Sequence, residues 1–256
     1  MVRPDEKMPT YCNGKGFRYD LVIDQQVYKY YVNKKTRLIK NWYDKKSVLL
    51  DVGCGTGAYT TALSKECKMI VGMDVSSKMV ERGLSKVRRL GLDNICFVVG
   101  DVSHLPFRDK VFDLVFSVNL FHHIAVENII VLGILEKVRC CKQGGYVLVF
   151  ELNPNSLGWS KNLIPKIIRS LVYLLFFPFR QHIMDHDEEG TKIVNILRLF
   201  EGIKQIKVCF KKVGGFIPPY CPKFLFKSFV LLEKVMEAIP LLRRYGAHVL
   251  VVGEVQ

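Results

Sequence analysis

Ten residues do most to limit what this chain can fold into. In VLLDVGCGTG, residues 48–57, an apolar run delivers Asp51 and then Gly53, Gly55 and Gly57, after which a helical pattern begins. An apolar run that ends in glycines reads as a buried strand. The glycines permit a tight turn whose backbone a ligand can approach closely. A strand buried in this way needs neighbours, and the next hundred residues supply them. Ser47–Val52, Met69–Met73, Ile95–Val99, Phe112–Val118 and Tyr146–Glu151 read as strands. Between them, Ala58–Lys65, Ser76–Leu90 and Val126–Cys141 read as helices. Ser76 or Ser77 is the expected cap of the second, and the third is expected to stop before Gly144–Gly145. Strands alternating with helices imply parallel βαβ units, and right-handed crossovers wind them into a doubly wound α/β sheet.

The flanks extend this core. Leu21–Tyr43 reads as one or two helices with Tyr28, Tyr31, Val32, Leu38, Ile39 and Trp42 as apolar contacts. After Glu151, helices are expected within 154–180 and at Thr191–Phe200 and Phe226–Ile239, and strands at Ile206–Lys212 and Ala247–Val252. The expected result is a mostly parallel seven-stranded sheet with helical insertions after strands 5 and 6, its last strand antiparallel at the edge. The organisation expected is a helical segment, 1–46, capping the cleft, an α/β core, 47–152, and substrate-covering insertions with the last strands, 153–256.

Residues able to do chemistry fall at the carboxyl ends of these strands, where ligands of such sheets bind. Asp74 ends the second strand, and its carboxylate can accept from two ribose hydroxyls. Asp101, in GDVSHLPF just after the third strand, can accept from an adenine amino group. The fourth strand runs into an exposed polar loop in DLVFSVNLFHHI, residues 113–124. His122, His123 and Glu151, the last ending the fifth strand, are the candidate general bases. Gly53, Gly55 and Ala58 also satisfy the dinucleotide pattern G-x-G-x-x-A, which keeps a nicotinamide or flavin enzyme in view.

Taken in order and spacing, these four elements resemble the class I S-adenosylmethionine (SAM)-dependent methyltransferases, in particular the small-molecule type 11 group that includes quinone and sterol methyltransferases. The resemblance covers about residues 20–152 and reappears in GAHVLVVGEV near the end. It implies a Rossmann-like fold and SAM as cofactor. Asp51, Gly53, Cys54, Gly55 and Gly57 would surround the methionine and ribose parts, and Asp74 would hold the ribose hydroxyls. Met73 or Val75 would pack on the adenine, Asp101 and the backbone of Val102 would hold its edge, and Asn119 and Leu120 would lie beneath the sulfonium.

The formal net charge is +14, with +6 in 1–46, +2 in 47–150 and +6 in 151–256, so the excess lies outside the motif-bearing segment. A basic exterior favours anionic partners. No basic–aromatic recognition module is evident, so nucleic acid is not favoured as a partner, although an RNA methyltransferase stays as an alternative beside a nicotinamide-dependent oxidoreductase and a non-catalytic SAM-binding protein. The N-terminal residues show no apolar signal-peptide pattern, and the eight cysteines show no zinc spacing. The expectation is therefore a cytoplasmic protein with reduced thiols, Cys140–Cys141 being a weak redox candidate. The segment 162–179, NLIPKIIRSLVYLLFFPF, is too short and charged to span a bilayer. It reads as a cover over an apolar acceptor pocket, as an interfacial membrane contact, or as core or a dimer interface. With Phe216–Leu232 it turns the expected acceptor towards a hydrophobic or lipid-like small molecule. His182 and His186 have helix-ligand spacing, but their surroundings read as a solvated turn and no metal is expected.

Overall fold

The computed structural model describes residues 25–124, 126–153, 156, 195–217 and 221–256. The segment 162–179 and the cluster His182, Asp185, His186, Asp187 and Glu188 lie outside the described residues.

Seven strands form one sheet in the order β3-β2-β1-β4-β5-β7-β6. The strands are β1 (Val48–Val52), β2 (Met69–Asp74), β3 (Ile95–Val99), β4 (Phe112–Val118), β5 (Cys141–Leu152), β6 (Ile206–Gly214) and β7 (His248–Val255). The helices are α1 (Gln25–Ile39), α2 (Ala58–Leu63), α3 (Ser77–Leu90), α4 (Glu127–Cys140), α5 (Ile196–Glu201), α6 (Phe226–Ala238) and α7 (Pro240–Arg243). β1 to β5 pair in parallel, and β7 runs antiparallel to both β5 and β6. The doubly wound α/β fold expected from the sequence is thus present, with β1 and β4 flanking the point where strand order reverses.

Alternation along each strand divides the core in two. Leu50, Val52, Val115, Val147 and Val149 meet Ile130, Ile134 and Val138 of α4 on one face. Leu49, Leu114, Phe116, Leu148 and Phe150 meet Ile39 of α1, Leu63 of α2 and Val87 of α3 on the other. Burial on both faces is why these strands read as nearly continuous apolar runs.

Three expectations need correction. The last strand does not lie at the edge: β7 sits between β5 and β6. Its run Val249–Val252 is buried on both faces, which suits an interior strand, whereas β6 carries the exposed Lys207 and Lys211 suited to an edge. The α4 helix stops at Cys140, before Gly144–Gly145 as expected, but β5 begins at Cys141 and not at Tyr146. Phe112 pairs with Cys141 but Leu114 pairs with Tyr146, so β5 bulges between these partners, where Gly144 has φ +74°. Ser76 precedes α3 but makes no side-chain capping bond. Cys140 and Cys141 are both buried free thiols whose pKa burial raises, which makes neither a reactive thiolate. No helix among the described residues is long and apolar enough to cross a membrane.

One core position breaks the apolar rule. Lys137 of α4 is fully buried, donates to Ser117 Oγ and lies 4.4 Å from the centre of the Phe121 ring. Burial lowers its pKa from 10.5 to about 7, against the attraction of Glu151 and Asp51. Between these values the unfolded chain holds a proton that the folded protein lacks. Stability contributed here therefore rises with pH across that window and is lost as pH falls towards 7. Lys137→Met is expected to remove a rise of order a few kcal/mol, read as a flatter dependence of Tm on pH between about 7 and 10.

Candidate active site

The site forms at the carboxyl ends of β1 to β5, beginning with the glycine turn. Gly53, Gly55 and Gly57 all have left-handed φ, at +74°, +55° and +73°. The N–H groups of Gly53 and Cys54 both donate to Met73 O, at 2.7 and 3.0 Å, which ties the turn to β2. A Cβ at Gly53 would fall 2.6 Å from Leu120 Cδ1, so the β4 loop closes directly on the turn. A Cβ at Gly55 would meet nothing within 4 Å, which leaves open space against bare backbone.

Asp74 reaches across to this opening. Its Oδ2 accepts from Gly55 N at 2.8 Å and its Oδ1 from Ser76 N at 3.0 Å, while the residue stays half-exposed. Each oxygen retains accepting capacity, the arrangement needed to receive a pair of hydroxyls. Asp101 is exposed after β3, where its Oδ1 accepts from the N–H and hydroxyl of Ser103, both at 2.8 Å. Val75 is half-buried beside Asp74, whereas Met73 points into the core, so of the two only Val75 is available to a ligand. Val102 is half-buried and packs into the core next to Asp101.

Two motif residues sit behind the turn. Asp51 is buried and accepts from Thr60 Oγ1 at 2.7 Å; burial lifts its pKa to about 7. Cys54 is buried, and burial raises its thiol pKa well above the usual value, so only its main chain is offered at the turn.

The loop after β4 is held by a buried carboxylate. Glu151 Oε1 accepts from the N–H groups of Leu120 and Phe121, both at 2.6 Å, and its Oε2 lies 2.9 Å from His122 Nδ1. Burial pushes its pKa up, but His122 and the two N–H groups outweigh this and hold it below the ordinary carboxylate value. Glu151 and His122 are therefore engaged with each other and the loop. His123 is exposed, its ring centre 3.9 Å from that of His122. Among the three candidate bases it alone faces outwards.

Asn119 adopts a left-handed φ of +56°, uncommon for a non-glycine residue. Its N–H donates to Phe150 O at 2.8 Å, and its Oδ1 accepts from Lys35 Nζ at 3.1 Å. Lys35, which the sequence reading did not single out, reaches this point from α1. It is buried, its amine lies 5.4 Å from the centre of the Phe150 ring, and burial lowers its pKa to about 7. Its signal was its place among Val27, Tyr31 and Ile39, four residues apart on the buried face of α1.

A glycine turn, two carboxylates on successive strands and a clamped loop, all at the reversal point of a doubly wound sheet, define a nucleoside-cofactor-binding α/β enzyme. A family model described as a methyltransferase domain, of type 11, matches residues 50–149. An uncharacterised protein of Methanocaldococcus jannaschii is 30% identical over 78% of this chain and 84% of its own length. Demethylmenaquinone methyltransferase of Bacillus cereus is 28% identical over 66% of this chain and 69% of its own. A tRNA (carboxymethyluridine(34)-5-O)-methyltransferase of Arabidopsis thaliana is 34% identical over 40% of this chain, which spans only 23% of that protein. A solved SAM-dependent methyltransferase from Methanosarcina mazei shares the fold at a TM-score of 0.55, with 19% identity over 85% of this chain and 96% of that one. The chain belongs to the class I SAM-dependent methyltransferases of type 11, and its cofactor is SAM.

The residues present fit that cofactor: backbone lies open at Gly55, the half-exposed Asp74 would accept from hydroxyls, and the exposed Asp101 would accept from an amino group. When bound, SAM supplies an electrophilic methyl on a sulfonium. The protein's own task is to hold both reactants in line, because methyl transfer needs positioning more than covalent help. Asp74→Ala is expected to weaken S-adenosylhomocysteine binding at least tenfold, about 1.4 kcal/mol, by calorimetry. Glu151→Gln is expected to cost stability by about 3 kcal/mol, read as a lowered denaturant midpoint, because it strips the charge from a buried pair.

Proposed function

We propose that the enzyme transfers the methyl of SAM to a small, hydrophobic or lipid-like acceptor. The observation that carries this reading is where similarity continues. The likeness to demethylmenaquinone methyltransferase extends over 179 residues, beyond the 100-residue span of the family model. The likeness to the tRNA methyltransferase covers 103, about the length of that model alone. Leu120, only partly buried on the Asn119 loop and set against Gly53, supports an apolar acceptor. His123, exposed next to His122, is the group in reach of solvent that would take a proton from a hydroxyl or an acidic carbon.

An RNA acceptor is the second reading, favoured by the net charge of +14 and the tRNA-modifying relative. Methyl-labelled SAM incubated with the enzyme, total lipid extract and total RNA separates the two. Label is expected in the organic phase. Label precipitating with RNA would sink the lipid-like reading. His123→Ala is expected to lower kcat by about 10²-fold or more while leaving the affinity for S-adenosylhomocysteine unchanged.

A further inference from the structure

The hairpin formed by α6 and α7 is sorted by charge. Residues 221–244 contain two acids, Glu233 and Glu237, and both turn inwards. Lys34 of α1 meets Glu233 at 2.8 Å and Glu237 at 2.5 Å. Glu233 also accepts from Tyr31 at 3.0 Å and from the N–H of Phe216 at 2.9 Å, and is fully buried. The five basic residues, Lys223, Lys227, Lys234, Arg243 and Arg244, are all exposed.

The same segment also exposes large apolar side chains. Phe224 is 83% exposed, Leu231 65% and Leu241 59%, with Val235 and Leu232 at half. On α6, Leu231 and Val235 lie four residues apart on the side opposite Glu233 and Glu237, and Phe224 stands in the turn that leads into the helix. Lys227 and Lys234 run alongside, seven residues apart. Apolar side chains in a row, flanked by cations and free of anions, are the composition of a helix that lies in a membrane surface.

We propose that this outer face docks on an anionic phospholipid bilayer. Phe224, Leu231, Val235 and Leu241 enter the boundary between headgroups and acyl chains, and the flanking lysines and arginines meet the phosphates. A second copy of the chain fits poorly here, because two such faces would bring like-charged rims together. The inward ion pairs to Lys34 hold the helix so that its apolar side stays outermost. The proposal rests on this outer face alone and stands whether or not the acceptor is lipid-like.

The test is co-sedimentation of the full chain with vesicles of phosphatidylcholine alone or mixed with phosphatidylglycerol, without SAM. The protein is expected to pellet with the anionic vesicles only, and to be released by salt. Lys227→Gln/Lys234→Gln is expected to weaken partition roughly 25-fold, about fivefold for each lysine. Leu231→Glu/Val235→Glu is expected to abolish it. Unchanged affinity for S-adenosylhomocysteine shows that each variant is folded; if the glutamate pair fails this check, the lysine pair decides. Wild-type protein left in the supernatant overturns the proposal, as do variants that pellet like wild type. So does a wild-type dimer, seen by light scattering, that Leu231→Glu/Val235→Glu converts to monomer without any vesicle binding.

Discussion

Glu151 takes hydrogen bonds from Leu120, Phe121 and His122, three consecutive residues of the loop that follows β4. The position of that loop decides much else. Leu120 is brought against Gly53, where no side chain would fit, and Asn119 is brought to Lys35. A buried carboxylate is costly unless its lone pairs are filled, and here main-chain donors and an imidazole fill them. The carboxylate therefore acts as a positioning group: it sets loop geometry from behind, and the loop sets how closely Leu120 approaches the glycine turn. A residue at the end of β5 can do this because β4 and β5 pair in parallel, which places Glu151 just beyond Val118 and next to the loop it holds.

Burial also pushes three ionisable groups behind the site towards their neutral forms. Lys35 and Lys137 are both lowered to about 7, and Asp51 is raised to about 7, each chiefly by burial. Glu151, by contrast, stays charged because its partners are local and directional. The contrast follows from hydrogen-bond count. Lys137 has Ser117 and a ring face, and Lys35 has Asn119 and a ring face, whereas Glu151 has three close donors. Glu151 thus keeps its negative charge under the loop, while burial pushes Lys35, Lys137 and Asp51 towards their neutral forms.

Much of this was legible in the chain because cofactor binding uses backbone. A glycine turn, a carboxylate at the end of a strand and the order of strands are local features, and local features survive in a linear reading. What escaped was long-range. Lys35 and Lys137 are lysines at apolar-face positions, and ordinary reasoning sends a lysine to solvent; only the partner positions Asn119 and Ser117, 84 and 20 residues away, explain their burial. Glu151 was picked out as a candidate base from its place at a strand end, but its orientation towards the loop depends on strand pairing. The final strand was misplaced for a related reason. Its Val249–Val252 run signalled burial on two faces, yet insertion between β5 and β6 becomes apparent only once β6 is known to carry exposed lysines.

The helical elements packed beside the sheet follow a different logic from the sheet itself. Strand order and the glycine turn are set by main-chain hydrogen bonds, which are nearly indifferent to side-chain identity. The placement of α1 on α6 rests on Lys34, Tyr30 and Tyr31 meeting Glu233 and Glu237, a handful of side chains that tie residues about 200 positions apart. Such contacts touch the sheet only near its rim, where the N–H of Gly215, just after β6, donates to Glu237 and that of Phe216 to Glu233. That separation explains why a resemblance based on residues 48–124 identifies the cofactor and says much less about the acceptor. It also means that the chemistry of the acceptor is to be sought where α1, the β4 loop and the end of β5 meet, in side chains whose neighbours are distant in sequence.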